Sequence, residues 1–299
     1  MRRLVVNADD LGLTAGVNDG IFDAHEHGIL TSASLFAHAP ATSDAIRRAR
    51  THPSLGIGVH LALVDGEPTL PPARVPSLVA DDGRFRRSWK PFIVACLSGR
   101  VSLGEVEREL TAQVGRVLDA GIRPTHLDAH KHVHAYPPVF AIVARLAARF
   151  GIPTMRVPFE RRWPVWRATQ AGRSRMTIHR QALLNAAMGP WARTNVRNAA
   201  ALGLRTPDFV GRVHTGVLDQ TTLYVLFRAL GPGVTELMVH PGYLDTALVQ
   251  TGTRLLASRE REVQLLCSLQ TRAALVGARI DLIRHDLNHA VRRSVRHVS

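Results

Sequence analysis

The amino-acid sequence predicts an α/β fold with a largely parallel sheet, on two observations. Short β-branched runs such as LVVNADD and VTELMVH alternate with longer segments of helical periodicity, which is typical of parallel strands joined by helices. The chain has 299 residues, 45% of them hydrophobic. This size is normal for a single α/β barrel, and the composition can fill a large core. Residues 1–299 are therefore interpreted as one domain.

The first half of the chain contains four predicted strand and helix pairs. LVVNADD is the first strand, and the helix after it carries apolar residues at Val17 and Ile21. ILTSASLFA is the second strand and LGIGVHLAL the third. Residues 65–95 hold several prolines and predict a long loop or insertion. THLDAH is the fourth strand, followed by a helix over 138–150.

The second half contains a predicted helical insertion and the remaining strands. TMRVPFE is predicted as a strand, whereas residues 160–205 have no strand signal and predict short helices. DFVGRVH, VTELMVH and ARIDLI are the last predicted strands, with one long helix over 254–276 before the final one. Both insertions lie between elements of the alternating pattern, so they do not change the predicted fold class.

Charge and cysteine content restrict the function classes. The formal net charge is +14, but only Lys90 and Lys131 are lysines, so the excess is arginine and is typical of a GC-rich coding background. With no nucleic-acid-binding motif, nucleic acid is not an expected partner. The two cysteines are far apart, so any metal has to rest on His, Asp and Glu. No apolar run suits a signal peptide or a membrane span, which predicts a cytoplasmic protein.

Acidic and imidazole side chains stand where the predicted strands end. Asp9 and Asp10 end the first strand, His60 ends the third, and His240 ends VTELMVH. Asp128 and His130 end the THLDAH strand. Because the carboxyl ends of parallel strands meet on one face, where active sites of such folds form, these side chains are expected to lie together.

Each of these signals has a simpler interpretation when it is taken alone. Asp10 could cap the helix that begins near Thr14, and a histidine such as His60 between apolar neighbours is more often a hydrogen-bonded core residue. The stretch THLDAHKHVH could be a solvated loop. Its polar residues are spaced by two and would share one face while the chain is extended. They are His126, Asp128, His130, His132 and His134.

Asp, His and His from three strand ends predict a metal site with open positions for water or substrate. Imidazole and carboxylate ligands suit Zn, Fe, Co, Ni or Mn, and Mg is less expected from two imidazoles. A carboxylate beside the ion could take a proton from water, and a histidine farther away could supply one to a leaving group. The predicted activity is hydrolysis.

Five segments together resemble the YdjC-like carbohydrate deacetylases, which include chito-oligosaccharide deacetylase. These are VNADDLGLTAGVNDGI, LTSASL, GIGVHL, THLDAHKHVH before Pro137, and ELMVHPG. The chain departs from the family at Leu11, where Phe is common, and at Ala129, where Ser is common. The resemblance implies a distorted (β/α) TIM-like barrel that hydrolyses the N-acetyl group of an amino sugar and releases acetate.

The resemblance also implies roles for the residues at the strand ends. One divalent ion, usually magnesium and sometimes zinc, would be held by Asp10, His60 and His130. Asp9 would be the general base and His240 the general acid. The other polar residues of the stretch would orient ligands or contact substrate, namely His126, Asp128, His132 and His134. A homodimer is a further expectation of the family.

Softer features resemble the hopanoid-biosynthesis-associated (HpnK-like) branch, which implies an N-acetylglucosaminyl hopanoid as substrate. They are LVDGEPTLPP, HKHVH and MRVPFE. Residues 156–197 are rich in Arg and Trp, a combination that suits peripheral contact with membrane lipid at the inner membrane surface. The alternative is a helical insertion that packs its Trp residues on the barrel.

Three other functions remain open at this point. A deacetylase of soluble chito-oligosaccharides would use the same chemistry on a different sugar. A metal-dependent phosphoesterase is disfavoured because two-metal sites usually need more bridging carboxylates than the sequence places here. A non-catalytic glycan-binding protein would need a degenerate site, whereas each residue of the predicted mechanism is present.

Overall fold

The structure is a computed structural model that describes residues 1–161 and 174–286. Seven strands form one sheet in which every pairing is parallel. The strands are β1 (Arg2–Leu11), β2 (Ser32–Phe36), β3 (Gly56–Leu61), β4 (Leu127–Ala129), β5 (Asp208–Val210), β6 (Gly233–Val239) and β7 (Ile280–Leu282). The order along the sheet is β4-β3-β2-β1-β6-β5, and β7 also pairs with β1.

The central strand β1 explains the curvature of the sheet. One of its edges pairs with β6 from Arg2 to Ala8. The other edge pairs with β7 over Arg2–Leu4 and with β2 from Asn7 onward. Two different strands therefore share one edge of β1, and the sheet curls into a half-barrel. This confirms the predicted α/β class and distorted TIM-like barrel.

Helices surround the half-barrel. They are α1 (Ala15–Glu26), α2 (Thr42–Ala49), α3 (Trp89–Leu97), α4 (Leu103–Asp119), α5 (Pro137–Arg149), α6 (Ser174–Ala187), α7 (Gly189–Ala201), α8 (Gln220–Ala229), α9 (Thr246–Gln250), α10 (Ala257–Cys267) and α11 (Leu269–Gly277). Local sequence fixes where several of them begin. The side chain of Thr14 accepts a hydrogen bond from the backbone N–H of Val17 and caps α1, and Asp245 caps α9 in the same way.

Two predicted elements were wrong in detail. The long helix over 254–276 is two helices, because Ser268 has an extended backbone and its side chain accepts from the N–H of Thr271 to begin α11. The predicted strand TMRVPFE is reduced to single bridges, in which Thr154 pairs with Arg205 and Met155 with Leu127. The chain after Met155 leaves the sheet and carries Arg156 into the interior.

The two predicted insertions carry no named strand in their described parts. Residues 65–95 contain a short 3₁₀ turn at Pro72–Arg74 and the start of α3. The described part of 160–205 contains α6 and α7. The interpretation of residues 1–299 as one domain stays a prediction. Within residues 1–161 and 174–286, no helix has the length and apolar character needed to cross a bilayer.

Candidate active site

The carboxyl ends of β1, β3 and β4 meet at one buried point. His60 pairs in register with Asp128 across β3 and β4. Asp10 has a left-handed φ of 71°, so the alternation of side chains along β1 stops there. Nitrogen atoms of His60 consequently lie within 4.8 Å of carboxylate oxygens of both Asp9 and Asp10. Adjacent carboxylates of one strand thus reach the same histidine.

Asp10, His60 and His130 bring three ligand atoms together. Asp10 Oδ1 lies 3.5 Å from His60 Nε2 and 3.3 Å from His130 Nδ1. Both distances exceed the usual length of a charge-assisted hydrogen bond between nitrogen and carboxylate oxygen. Asp10 does not cap α1, since Thr14 does. One oxygen and two imidazole nitrogens on one face form a set that can hold a divalent ion.

The surroundings of the two imidazoles also fit a cation. His60 Nδ1 lies 2.7 Å from Asp128 Oδ1, which holds the ring with Nε2 toward Asp10. Burial alone would lower the pKa of His60, but the charge of Asp128, its hydrogen bond to the ring and the nearby carboxylate of Asp10 raise it to about 10. The nearby carboxylates of Asp10 and Asp65 similarly outweigh burial and raise the pKa of His130. The carboxylates around these rings therefore favour positive charge, which a divalent ion would supply.

Asp9 belongs to a different set of contacts, centred on Arg156. Arg156 Nη2 and Nη1 donate to the two oxygens of Asp9 at 2.7 Å and 2.8 Å. The same guanidinium contacts Glu236 Oε1 at 2.6 Å and Asp128 Oδ2 at 2.8 Å. Burial would raise the pKa of Asp9, but the charge and hydrogen bonds of Arg156 lower it to about 2. Asp9 is therefore ionised at every pH where the chain would act.

His126 and Asp128 are fully buried and are connected through Ser34. Ser34 Oγ donates to Asp128 Oδ2 at 2.7 Å and lies 3.0 Å from His126 Nε2. The His126 ring stacks on His285 with centroids 3.8 Å apart. Burial, together with His285 and Arg156, lowers the pKa of His126 well below its usual value. Asp128 orients His60, whereas His126 is a neutral part of the interior.

The expectation that the whole His-rich stretch shares one face was wrong. The chain is extended only to Ala129, and residues His130–Ala135 form a 3₁₀ turn. Lys131 and His132 have φ values of 49° and 56°, so side chains after His130 no longer follow the strand alternation. The left-handed pair of residues turns the chain away from β4 and ends the common face.

His132 and His134 consequently point into different packing environments. The His132 ring meets Phe209 edge-on with centroids 6.0 Å apart. His134 Nε2 lies 3.0 Å from the carbonyl oxygen of Arg156, and burial lowers the pKa of His134 to about 4. His134 thus supports the segment that carries Arg156.

His240 follows the end of β6 and is buried near both aspartates. Its backbone N–H donates to Glu262 Oε2 at 2.5 Å. Burial lowers the pKa of His240 to about 4, against the charges of Asp9 and Asp10, which raise it. The ring is therefore neutral at pH 7 in the substrate-free chain. The charges of Asp9 and Asp10 reach the ring, so His240 lies near both aspartates.

Comparisons with known proteins identify the family of this chain. The YdjC-like protein family matches residues 3–276. This chain belongs to the YdjC-like family. A carbohydrate deacetylase of Brevibacillus brevis is 33% identical over 94% of this chain and 97% of its own length. One of Geobacillus stearothermophilus is 35% identical over 89% of each. The predicted resemblance is confirmed.

One solved structure agrees with the fold of this chain over nearly its whole length. The crystal structure of an Enterococcus faecalis protein, described as a candidate for cellobiose-phosphate cleavage, superposes with a TM-score of 0.76. It is 28% identical and the match covers 95% of this chain and 98% of that one. The fold similarity thus extends over nearly the whole length of both chains.

Sequence reasoning missed several charged residues of the site. They are Asp65, Arg156, Glu236, Arg259 and Glu262. Two of them carried a usable signal, because Glu236 stands in the apolar run of β6 and Arg156 among the apolar residues of MRVPFE. A charge within an apolar run is seldom buried unless it is paired. Asp65, Arg259 and Glu262 have no such signal, since they lie in a loop and on a helix with ordinary polar patterns.

The prediction that residues 156–197 face a membrane was wrong for Arg156. Its guanidinium is fully enclosed by three carboxylates, with the residue 1% exposed. Trp191 packs edge-on against Tyr136, with ring centroids 5.5 Å apart, as the alternative interpretation expected. Trp163 and Trp166 lie outside the described residues. Arg180, Arg193 and Arg197 are exposed on α6 and α7.

Proposed function

We propose that this chain is a metal-dependent carbohydrate deacetylase that hydrolyses the N-acetyl group of an amino sugar and releases acetate. The observation that carries the proposal is the set of Asp10, His60 and His130 with Asp9 beside it, on the face where active sites of parallel α/β folds form. Relatives that align over nearly their whole length are named carbohydrate deacetylases. The reaction converts an amide and water into a protonated amine and acetate.

The donor set fits one divalent ion, held by Asp10, His60 and His130. One carboxylate oxygen and two imidazole nitrogens suit zinc and other first-row metals, and the resemblance to the family favours magnesium. When bound, such an ion polarises the amide carbonyl and makes water more acidic. Asp128 would keep the His60 ring turned toward the ion, through its contact with Nδ1.

Asp9 and His240 would move the protons. Arg156 keeps Asp9 in the deprotonated form that a general base requires to take a proton from the attacking water. His240 would give a proton to the nitrogen as the C–N bond breaks. Because His240 is neutral before substrate binds, it must gain that proton within the catalytic cycle. Asp9 would return the water proton to solvent, and His240 would take from solvent the proton that it delivers to the nitrogen, so the cycle neither consumes nor releases a net proton.

A second set of possible metal ligands, next to the first, bears on the choice between amide hydrolysis and two-metal phosphoester cleavage. Its contacts favour amide hydrolysis. Asp9, His60 and Asp128 also bring ligand atoms within 4.8 Å of one another. The guanidinium of Arg156 already contacts both of these carboxylates, at 2.7 Å and 2.8 Å. Its fixed positive charge stands where a second cation would be needed. We therefore place one ion at this site.

The substrate we propose is an N-acetylglucosaminyl hopanoid, on the resemblance to that branch of the family. Its lipid would bring the chain to a membrane through α6 and α7. The support is a stripe of exposed side chains on α6, where Met176 is 83% and Leu183 73% exposed, with Arg180 between them. Apolar and arginine side chains on one face suit anionic lipid headgroups. We extend the family's homodimer to this chain as part of the same proposal.

Acetate release tests the activity and the substrate together. The purified chain, loaded with zinc or magnesium, is given N-acetylglucosaminyl hopanoid or chitobiose, and Asp9→Asn serves as the inactive control. Release from the hopanoid supports both parts, and release from chitobiose alone supports the activity while rejecting the lipid. No release with either sugar and either metal would contradict the deacetylase function.

The membrane contact has its own test. Co-sedimentation with vesicles that contain phosphatidylserine should fall when Met176 and Leu183 are both replaced by Ser. The matched control replaces Leu269 and Val276, which are equally exposed on α11. Trp163→Ala with Trp166→Ala examines the part outside the described residues. Unchanged sedimentation in the Met176/Leu183 variant would reject contact through α6.

A further inference from the structure

Helix α10 presents two buried, oppositely charged residues to the site. Arg259 is 1% and Glu262 2% exposed, although both lie on a helix whose neighbours Arg261 and Gln264 face solvent. Residues three apart on a helix share a face. A buried charge is costly unless it is paired, so the partner of each residue indicates why it is there.

The partner of Arg259 is the candidate metal ligand Asp10. Arg259 Nη2 donates to Asp10 Oδ2 at 2.6 Å, and Arg259 Nε donates to the carbonyl oxygen of Leu255 at 3.0 Å. The guanidinium side chain is thus anchored at one end to the backbone just before α10 and at the other end to the carboxylate of Asp10. Holding Oδ2 leaves Asp10 Oδ1 facing His60 Nε2 and His130 Nδ1.

The partner of Glu262 is the backbone of His240. Glu262 Oε2 accepts the N–H of His240 at 2.5 Å. Glu260, on the same helix, accepts the N–H of Leu244 at 3.1 Å. Two carboxylates of α10 therefore hold both ends of the loop that follows β6. Burial raises the pKa of Glu262 to about 7, so an amide of equal length is a close replacement for it.

Close packing fixes this loop from the other side. An added Cβ at Gly20 of α1 would lie 2.4 Å from Gly242 Cα, so only glycine allows the helix and the loop to meet. At Gly242 an added Cβ would lie 3.2 Å from both Arg259 Cδ and Val17 Cα. The loop with His240 is therefore enclosed between α1 and α10. Its position depends on the side chains that α10 supplies.

We propose that α10 is a positioning element for catalysis, in which Arg259 aims Asp10 at the two imidazoles and Glu262 sets the place of His240 by the reach of its side chain. The inference rests on the proposed deacetylase function for the role of His240, whereas the role of Arg259 concerns ion binding alone. Neither residue is a catalytic residue, since each acts through another group.

The two roles are separated by matched substitutions. Glu262→Asp keeps the charge but shortens the reach to the His240 N–H, and Glu262→Gln keeps the reach but removes the charge. Arg259→Met removes the contact to Asp10, and Arg261→Met makes the same change on the solvent side of α10. The measurements are zinc affinity by calorimetric titration of the metal-free chain, kcat and KM for acetate release, and the imidazole NMR signals of His240.

If the length of the Glu262 side chain sets the position of His240, the shorter Asp should impair catalysis more than the uncharged Gln. Glu262→Asp should lower kcat at least tenfold and move the His240 NMR signals, with zinc affinity and KM unchanged, while Glu262→Gln resembles the unmodified chain. Arg259→Met should weaken zinc binding by about 10–100-fold, as loss of a residue that orients a ligand typically does. Arg261→Met should change none of these quantities.

Three results would overturn the proposal. They are a Glu262→Gln variant as impaired as Glu262→Asp, His240 signals that do not move in Glu262→Asp, and zinc binding by Arg259→Met as tight as in the unmodified chain. If the unmodified chain releases no acetate, the deacetylase function fails, but the zinc titration and the NMR signals still decide the roles of Arg259 and Glu262. Any variant that fails to unfold cooperatively is judged by its more conservative counterpart, Arg259→Lys or Glu262→Gln.

Discussion

Asp9 and Asp10 are neighbours in sequence, yet their carboxylates have different partners. Both oxygens of Asp9 accept short hydrogen bonds from Arg156. Only one oxygen of Asp10 is held in this way, by Arg259. The other oxygen faces two imidazole nitrogens at distances longer than a good hydrogen bond.

The carboxylates around Arg156 already have a cation as their partner. The group around Asp10 can accept a further cation. Around Arg156, three carboxylates surround one guanidinium, and Asp9 is kept ionised there. Around Asp10 the ligand atoms converge on a shared point, with carboxylates raising the pKa of both imidazoles. We infer that the left-handed φ of Asp10 is what assigns two adjacent residues to two roles.

Among the substitutions that test this comparison, the largest effect is expected from replacing the candidate metal ligand Asp10. Asp10→Ala should abolish ion binding and lower kcat/KM by at least about 10⁴-fold, roughly 5.5 kcal/mol of transition-state stabilisation. Zinc titration and acetate release measure the two consequences. A variant that still binds one zinc ion with undiminished affinity would remove Asp10 from the ligand set.

Asp9→Asn should separate activity from ion binding. Loss of the general base is expected to lower kcat by about 10²–10⁴-fold, while zinc affinity stays close to that of the unmodified chain because Asp10, His60 and His130 are intact. The same titration and assay apply. Loss of ion binding in Asp9→Asn would show that the two carboxylates share one role and would break the comparison.

Arg156→Met should affect folding more than ion binding. Removing the guanidinium leaves the buried Asp9, Asp128 and Glu236 uncompensated, and breaking such a cluster costs about 3–5 kcal/mol. Urea unfolding monitored by circular dichroism measures the free energy of unfolding. Arg161→Met, at an exposed position, is the matched control and should be nearly neutral. Equal stability of the two variants would contradict the role of Arg156.

Acid should lower the free energy of unfolding as Asp9 becomes protonated, and it should do so in a defined pH window. The folded pKa of Asp9 is about 2, below its ordinary value of 3.8. Its contribution to stability is therefore present above about pH 4 and lost as pH falls toward 2, an amount of about 2 kcal/mol. Unfolding free energies between pH 2 and 5 should fall more steeply in the unmodified chain than in Asp9→Asn. Parallel curves would refute the low pKa.

The sequence predicts the parts of this site that lie at strand ends. Asp9, Asp10, His60, Asp128 and His240 could be brought together in advance because parallel strands deliver their carboxyl ends to one face. The same argument predicts a parallel sheet from the alternation of strand and helix patterns. It fails after Ala129, where the left-handed Lys131 and His132 end the extended chain, and nothing in the residue types requires that turn.

The residues that complete the site depend on tertiary packing and could not be placed in advance. Arg259 and Glu262 lie on a helix with ordinary polar patterning, and their burial follows from how α10 rests against α1 and the loop after β6. For Arg156 the sequence pattern is misleading, because a basic residue near tryptophans predicts a membrane surface whereas Arg156 is buried. Its three carboxylate partners lie on β1, β4 and β6, far apart in sequence.

The most direct test of the account is the position of a bound ion. Crystals grown with zinc or cobalt should show one anomalous peak at about 2.0–2.2 Å from Asp10, His60 and His130, with Arg156 still bridging Asp9 and Asp128. A peak between Asp9, His60 and Asp128, with Arg156 displaced, would contradict the assignment of the two aspartates to separate roles.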